Sequence, residues 1–181
     1  MSIITNVRTI RLEQFPNSIW VEIETDENLT GLGEAWRGTA AIETIIHHDI
    51  CPWLIGQDSR NIELISRTLL TPYVGFHSAS AEIRAASAID IALWDLAGKR
   101  HGIPVYEALG GASRSSIQVY NTCSGYSFNA SSSAYNSGTS RRMITDKDEM
   151  RGPYDDQVAF TRDAGALAKS LLSEGYKIMK I

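Results

Sequence analysis

The sequence predicts an α+β unit over residues 1–115, followed by a smaller βαβ unit over residues 116–181. Three patterns predict it. Residues 3–36 hold three stretches of strand alternation separated by short turns. Residues 39–101 then change to helical spacing and end in one long alanine-rich helix. After Gly110-Gly111 the order becomes strand, polar stretch, helix, strand, which implies a parallel pair joined by a crossover helix.

The first strand is expected over 3–13, where IITNVRTIRLE alternates in part. Phe15, Pro16 and Asn17 make a turn. The second strand, 18–25, alternates well: Ile19, Val21 and Ile23 face one way, Trp20, Glu22 and Glu24 the other. Asp26, Glu27 and Asn28 form the next turn, and 29–36 is the third strand. Short turns between three strands make an antiparallel meander. Gly31-Leu32-Gly33 begins like a dinucleotide fingerprint, but it lacks a third glycine and lies within a strand, so a Rossmann site is rejected.

Thr39 can cap a helix that buries Ile42, Ile45 and Ile46 and ends near Pro52. A second helix over 61–71 turns Ile62, Ile65, Leu69 and Leu70 inward, and 72–78 is a loop holding His77. The long helix spans 79–101. Ser78 or Ser80 can cap it, Glu82 suits its N-terminal dipole, and Gly102 and Pro104 stop it. Ile83, Ala86, Leu93 and Ala97 make one apolar stripe; Ala85, Ala88, Ile89, Ala92 and Leu96 make a second. The face is wide enough for a core helix, and its alanines allow another backbone to come close. Asp95 and Lys99 are four apart in the favourable order.

Strand 117–122 opens the second unit, and 124–153 is polar and rich in Ser, Asn and Gly. A loop of that length suits a binding loop, and Ser127–Ser140 is expected to be mobile without ligand. Helix 155–174 presents Val158, Phe160, Ala164, Leu167, Ala168, Leu171 and Leu172, and Gly175 ends it before the strand YKIMKI. A parallel pair with one crossover helix leaves open edges and uncovered faces. The expectation is therefore a piece of a longer protein.

Composition excludes several classes. Among the 181 residues, 43% are hydrophobic and 21% charged, as in globular proteins. A net charge of −4 gives no electrostatic case for nucleic acid or an anionic membrane. No apolar run approaches a membrane span, and the N-terminus is too short and polar for a signal peptide. Cys51 and Cys123 form no CxxC; both are expected reduced and buried, which fits the cytoplasm. His47 and His48 point about 100° apart and lack metal-site spacing. Asp155 and Asp156, at a helix start, read as dipole residues.

In the long helix and just after it, Ala86, Ala88, Ile89, Asp90, Ala92, Leu93, Asp95, Leu96, Gly98, Lys99, Pro104 and Gly110 stand in a recognisable order and spacing. The chain thereby resembles the mandelate racemase and muconate lactonising enzyme group of the enolase superfamily. It departs at Ala108, where that group usually has Leu. The plain alternative is an ordinary alanine-rich amphipathic helix. The resemblance implies a capping domain (three-stranded meander plus helices) over 1–115. It also implies the first strand, helix and second strand of a (β/α)8 barrel over 116–181, truncated, since closure needs eight strands.

The resemblance also implies a chemistry: Mg²⁺-dependent removal of the proton α to a carboxylate. A Lys-x-Lys pair of that group follows the glycine at the spacing of Gly175 to Lys180. Lys180 therefore resembles the first lysine, which helps bind the carboxylate and lowers its neighbour's pKa. The slot for the second lies past the last residue, so the base is unassigned. On spacing alone Lys180 reads equally as a solvated lysine at a strand end. The Mg²⁺ ligands are expected on later barrel strands, outside this chain.

The turn at Asn17 and the segment Trp36-Arg37-Gly38 match loops that close over the barrel mouth in that group. Arg37 is a candidate partner for a substrate carboxylate or hydroxyl, and reads equally as a surface arginine; Trp36 suits packing between domains. Asn121, Thr122 and Tyr126, near the end of the first barrel strand, are weaker substrate-contact candidates. The expected activity is dehydration of a small sugar acid or hydroxy acid. Racemisation, epimerisation or cycloisomerisation would share the first step, and the resemblance further implies a homo-oligomer. A reading from another class is a non-catalytic interaction module that kept a capping-type fold; the open strand edges argue against it.

Overall fold

The structure is a computed structural model; it describes residues 1–13, 15–71, 80–122 and 163–180. The chain divides into two compact units, Met1–Ser113 and Arg114–Ile181.

In the first unit, β1 (Ile4–Ile10), β2 (Ser18–Thr25) and β3 (Thr30–Trp36) form an antiparallel sheet in the order β1-β2-β3. The second strand is in the middle because each connection is a short turn. Its alternation is realised: Ile19, Val21 and Ile23 are fully buried, while Trp20, Glu22 and Glu24 are partly exposed. The first strand is shorter than its pattern predicts. The amide of Phe15 donates to the Leu12 carbonyl and that of Ser18 to Phe15, which turns the chain after Ile10.

The helical segment that follows differs from its expectation at its start and in its course. Gly38, at φ 73°, is the N-cap, and Thr39 is the first helical residue. The Thr39 hydroxyl is engaged elsewhere, 3.3 Å from the Pro16 carbonyl. The helix also continues past Pro52. It runs as α1 (Thr39–Thr44), a π-helical stretch (Ile45–Ile50) and a last turn, α2 (Cys51–Leu54). The wide turn lies directly before the proline, whose ring cannot donate to the ordinary ladder. Cys51 is buried, and burial raises its thiol pKa, so it is a packing residue. In α3 (Ile62–Leu70), Ile65 is buried while Leu70 is 43% exposed, against the expectation that it faces inward.

Helix α4 (Ala81–His101) is the core helix. Its buried residues are Ala85, Ala86, Ala88, Ile89, Ala92, Leu93 and Leu96 of the two stripes, with Gly98 in addition; the stripe residues Ile83 and Ala97 are only partly covered. Ser80 caps it through its own hydroxyl, which accepts from the Ala81 amide at 2.7 Å. The helix lies unusually close to β3. A Cβ at Gly31 would stand 2.1 Å from the Ala92 carbonyl oxygen, and one at Gly33 would stand 1.9 Å from that of Ala88. The Gly-Leu-Gly of β3 is thus where a helix backbone meets a strand backbone.

Most other signature residues also have structural work. Because β3 is an edge strand, its outward groups need partners. Asp95 Oδ2 accepts from the Leu32 amide at 2.8 Å, and Lys99 Nζ donates to the Thr30 carbonyl at 2.7 Å. The two side chains also pair with each other at 2.8 Å. Asp90 accepts from the Ser66 hydroxyl and ties α4 to α3. Gly98 leaves room for the closing turn, in which the Ile103 amide donates to Gly98 and the Gly102 amide to Lys99. Helix α5 (Val105–Ala108) follows, with Ala108 exposed.

Arg100 anchors the start of the chain. It donates to the hydroxyls of Ser2 at 2.6 Å and Ser59 at 2.8 Å, both fully buried, and pairs with Glu27 at 3.1 Å. Bonds to Ser2 and then to Arg100 hold the Glu27 carboxyl below its ordinary value. Nearby, Asp58 accepts from the Ser2 amide and is gripped by Arg60, which holds its carboxyl well below the carboxylate range.

The second unit contains α6 (Ala164–Ser173), capped by the Asp163 side chain, which accepts from the Ala166 amide. Leu167 and Leu171 are buried, whereas Leu172 is 63% exposed, contrary to its place in the expected apolar face. Gly175, at φ 96°, ends the helix as expected. The two flanking segments pair in parallel, but at Asn121 and Met179 alone among the described residues. Two bonds make the pair, Asn121 amide to Ile178 carbonyl at 3.2 Å and Lys180 amide to Asn121 carbonyl at 2.8 Å. The full strand expected over 117–122 is absent: Ile117, Val119 and Tyr120 are more than half exposed, so no covered face extends the ladder. Cys123, His77, Asp155, Asp156, Val158, Phe160 and the 124–153 stretch lie outside the described residues.

Candidate functional site

In the first unit the two expected loop segments come together. The amide of Arg37 donates to the Asn17 carbonyl at 2.7 Å, just beyond the Ser18–Trp36 end of the β2–β3 ladder. Arg37 is at φ 64°, and Gly38 follows at φ 73°. Two successive left-handed residues make a tight reversal, and an arginine is uncommon there. Trp36 is 46% exposed, and the Arg37 guanidinium lies over its ring, 4.3 Å from the centroid. Phe15 meets Trp20 edge to face at 6.1 Å behind the same turn. An exposed guanidinium on an aromatic face beside a polar turn can bind a carboxylate in a bidentate way.

Further along the sheet, Thr9 stands between Glu43 at 3.0 Å and His47 at 2.9 Å, and Glu43 pairs with Arg11 at 2.9 Å. Arg11 chiefly lowers the Glu43 carboxyl, with Thr9 adding to it. This cluster joins β1 to the helix.

In the second unit, Lys180 and Asn121 are brought together by backbone pairing, and the Lys180 side chain is exposed. Thr122 adjoins Asn121 and is exposed. Tyr126 lies outside the described residues. Among the described residues, no three His, Cys, Asp or Glu side chains come together to hold a metal ion. The described residues therefore do not by themselves form a Mg²⁺ site. Nor is any helix among them long and apolar enough to cross a membrane.

Sequence reasoning missed Arg84. It sits on α4, and its Nη1 donates to the Arg37 carbonyl at 3.2 Å. No local pattern signals it, because its partner is a backbone carbonyl far away in sequence.

A three-stranded meander whose edge strand is sealed by a signature helix, with polar loops at one end, defines a capping-type α+β domain. The chain belongs to the mandelate racemase / muconate lactonizing enzyme family of the enolase superfamily: the family's N-terminal domain matches residues 6–110. A D-galactonate dehydratase of Ralstonia nicotianae is 39% identical over 124 residues, covering 67% of this chain and 31% of the relative. An enolase protein solved from Sargasso Sea environmental sequence is 46% identical with a TM-score of 0.75, covering all of this chain and 39% of that one. An enolase from Pantoea ananatis, solved with bound D-gluconate and Mg, is 37% identical with a TM-score of 0.62 over 67% of this chain and 30% of its own. The chain thus spans about a third of the length of these proteins.

Proposed function

We propose that the protein carrying this chain is a Mg²⁺-dependent sugar-acid dehydratase. The observation that carries this reading is the likeness, across the capping domain, to a relative named as a D-galactonate dehydratase. The neighbour solved with D-gluconate and Mg supports a polyhydroxylated acid as substrate and Mg²⁺ as cofactor. These names favour dehydration over racemisation, epimerisation or cycloisomerisation within the same superfamily.

The reaction transfers the proton α to the carboxylate to a general base, and the C–H electron pair remains as an enolate. The electron pair then expels the β-hydroxyl, which takes a proton and leaves as water. The resulting enol becomes a 2-keto-3-deoxy acid. Arg37, with Trp36 behind it and Asn17 beside it, is assigned to the carboxylate or hydroxyls of the substrate. Asn121, Thr122 and Tyr126 are assigned as further contacts. Lys180 is assigned to the substrate carboxylate, where its positive charge favours the enolate dianion over the singly charged carboxylate from which it forms. The Arg37 geometry supports its part of this: the guanidinium is exposed and its backbone is held at both ends.

A panel of aldonic and aldaric acids, incubated with the full-length gene product and Mg²⁺ and tested for 2-keto-3-deoxy acids, checks the reading. One or more acids should give product. Turnover that inverts a stereocentre without losing water would replace dehydration by epimerisation.

A further inference from the structure

We propose that Arg84 is a positioning residue that holds the left-handed turn at Arg37 and so aims the Arg37 guanidinium. This rests on the reading of Arg37 as a substrate contact. The Arg37 backbone conformation is disfavoured for any residue with a Cβ and persists only where neighbours hold it. Here its peptide groups are held on both sides. The Arg37 amide donates to the Asn17 carbonyl at 2.7 Å, and the Arg37 carbonyl accepts from Arg84 Nη1 at 3.2 Å. The next carbonyl, that of Gly38, accepts from the Ile42 amide at 3.0 Å. Arg84 is the one of these partners that reaches in through a side chain, and it comes from α4. The turn is thereby tied to the helix whose backbone is packed directly on β3. A residue that only stabilised α4 would have no need to reach the turn.

The test uses the full-length gene product. Arg84→Met removes the donor; Arg84→Lys keeps one. Hydrogen exchange of the 36–39 peptide, read by mass spectrometry, should rise with Arg84→Met, and KM for the turned-over acid should rise about threefold to tenfold, as expected for one lost hydrogen bond. The kcat should stay within about twofold, and Arg84→Lys should lie within about twofold of the parent in both constants. Unchanged exchange with Arg84→Met would overturn the proposal whatever the kinetics. Faster exchange with an unchanged KM would overturn it too, provided Arg37→Met raises KM. If Arg37→Met leaves KM unchanged while Arg84→Met speeds exchange, Arg84 holds the turn as proposed and the substrate role of Arg37 fails instead.

Discussion

Replacing Gly33 by Ala tests the tightest approach at any glycine among the described residues. The added Cβ would stand 1.9 Å from the Ala88 carbonyl oxygen and 2.9 Å from the carbonyl carbon. Ordinary contact begins near 3.4 Å, so α4 and β3 must separate by about 1.5 Å. Both partners are backbone, so no rotamer change relieves the clash. A gap of that size forfeits about half or more of the dispersion attraction across the seam, where Ala88, Ile89 and Ala92 share one buried cluster with Val21 and Ile23. Overpacking costs about 1–3 kcal/mol where side chains can adjust, and this site should reach or exceed the top of that range. Urea unfolding followed by far-ultraviolet circular dichroism measures it. Gly102→Ala is the contrast: nothing lies within 4 Å, and only its φ of 65° opposes the change, for a cost of about 1 kcal/mol. A Gly33→Ala loss below about 1 kcal/mol would refute the reasoning. So would rescue by Ala88→Gly, because the obstacle is the Ala88 carbonyl and not its methyl group.

Two further predictions concern polar contacts. Asp95→Ala should cost about 1 kcal/mol in the same assay and speed exchange at the Leu32 amide, because the outward edge of β3 loses its acceptor. Exchange at Leu32 unchanged would show that the edge is protected in another way. The Asp58 carboxyl is depressed in the folded chain by Arg60, so its stabilisation is complete above the unfolded carboxyl value of about 3.9 and is lost as pH falls toward the folded value. Glu27 and Glu43 are shifted in the same direction. Stability should therefore decline from about pH 5 downward, and Asp58→Asn should flatten that decline. An equally steep acid limb in the variant would contradict it.

Much of the first unit was legible because its signals are periodic. The alternation of Ile19, Val21 and Ile23 and the stripes of α4 each bury a face, and burial favours a single register. What was not legible depends on distant partners. Gly38 replaces Thr39 as cap because Thr39 reaches Pro16. The helix passes Pro52 because a π turn precedes it. The glycines of β3 read as an incomplete dinucleotide motif, and only the helix packed on them shows their use. The second unit was less legible, since the alternation of 117–122 has no cover to enforce it among the described residues.

The candidate site was legible only in part. Asn17 and the Trp36–Gly38 segment were singled out from the resemblance, and the structure brings them within one hydrogen bond of each other. Arg84 was invisible because a guanidinium that binds a distant carbonyl leaves no spacing pattern. The signature itself proves to be mainly structural. Asp90, Asp95, Gly98, Lys99 and the alanines of α4 seal an edge, close a turn and admit a neighbouring backbone.

We propose that the full-length protein removes the proton α to a sugar-acid carboxylate. The most direct measurement is solvent-deuterium exchange at the α-carbon, followed by NMR on a panel of sugar acids with and without Mg²⁺. Mg²⁺-dependent exchange or elimination is expected at one or more acids, abolished by Lys180→Met in a folded variant. Absence of exchange and of elimination across the panel, with no binding of Mg²⁺ to the folded protein, would contradict it and leave the non-catalytic module in its place.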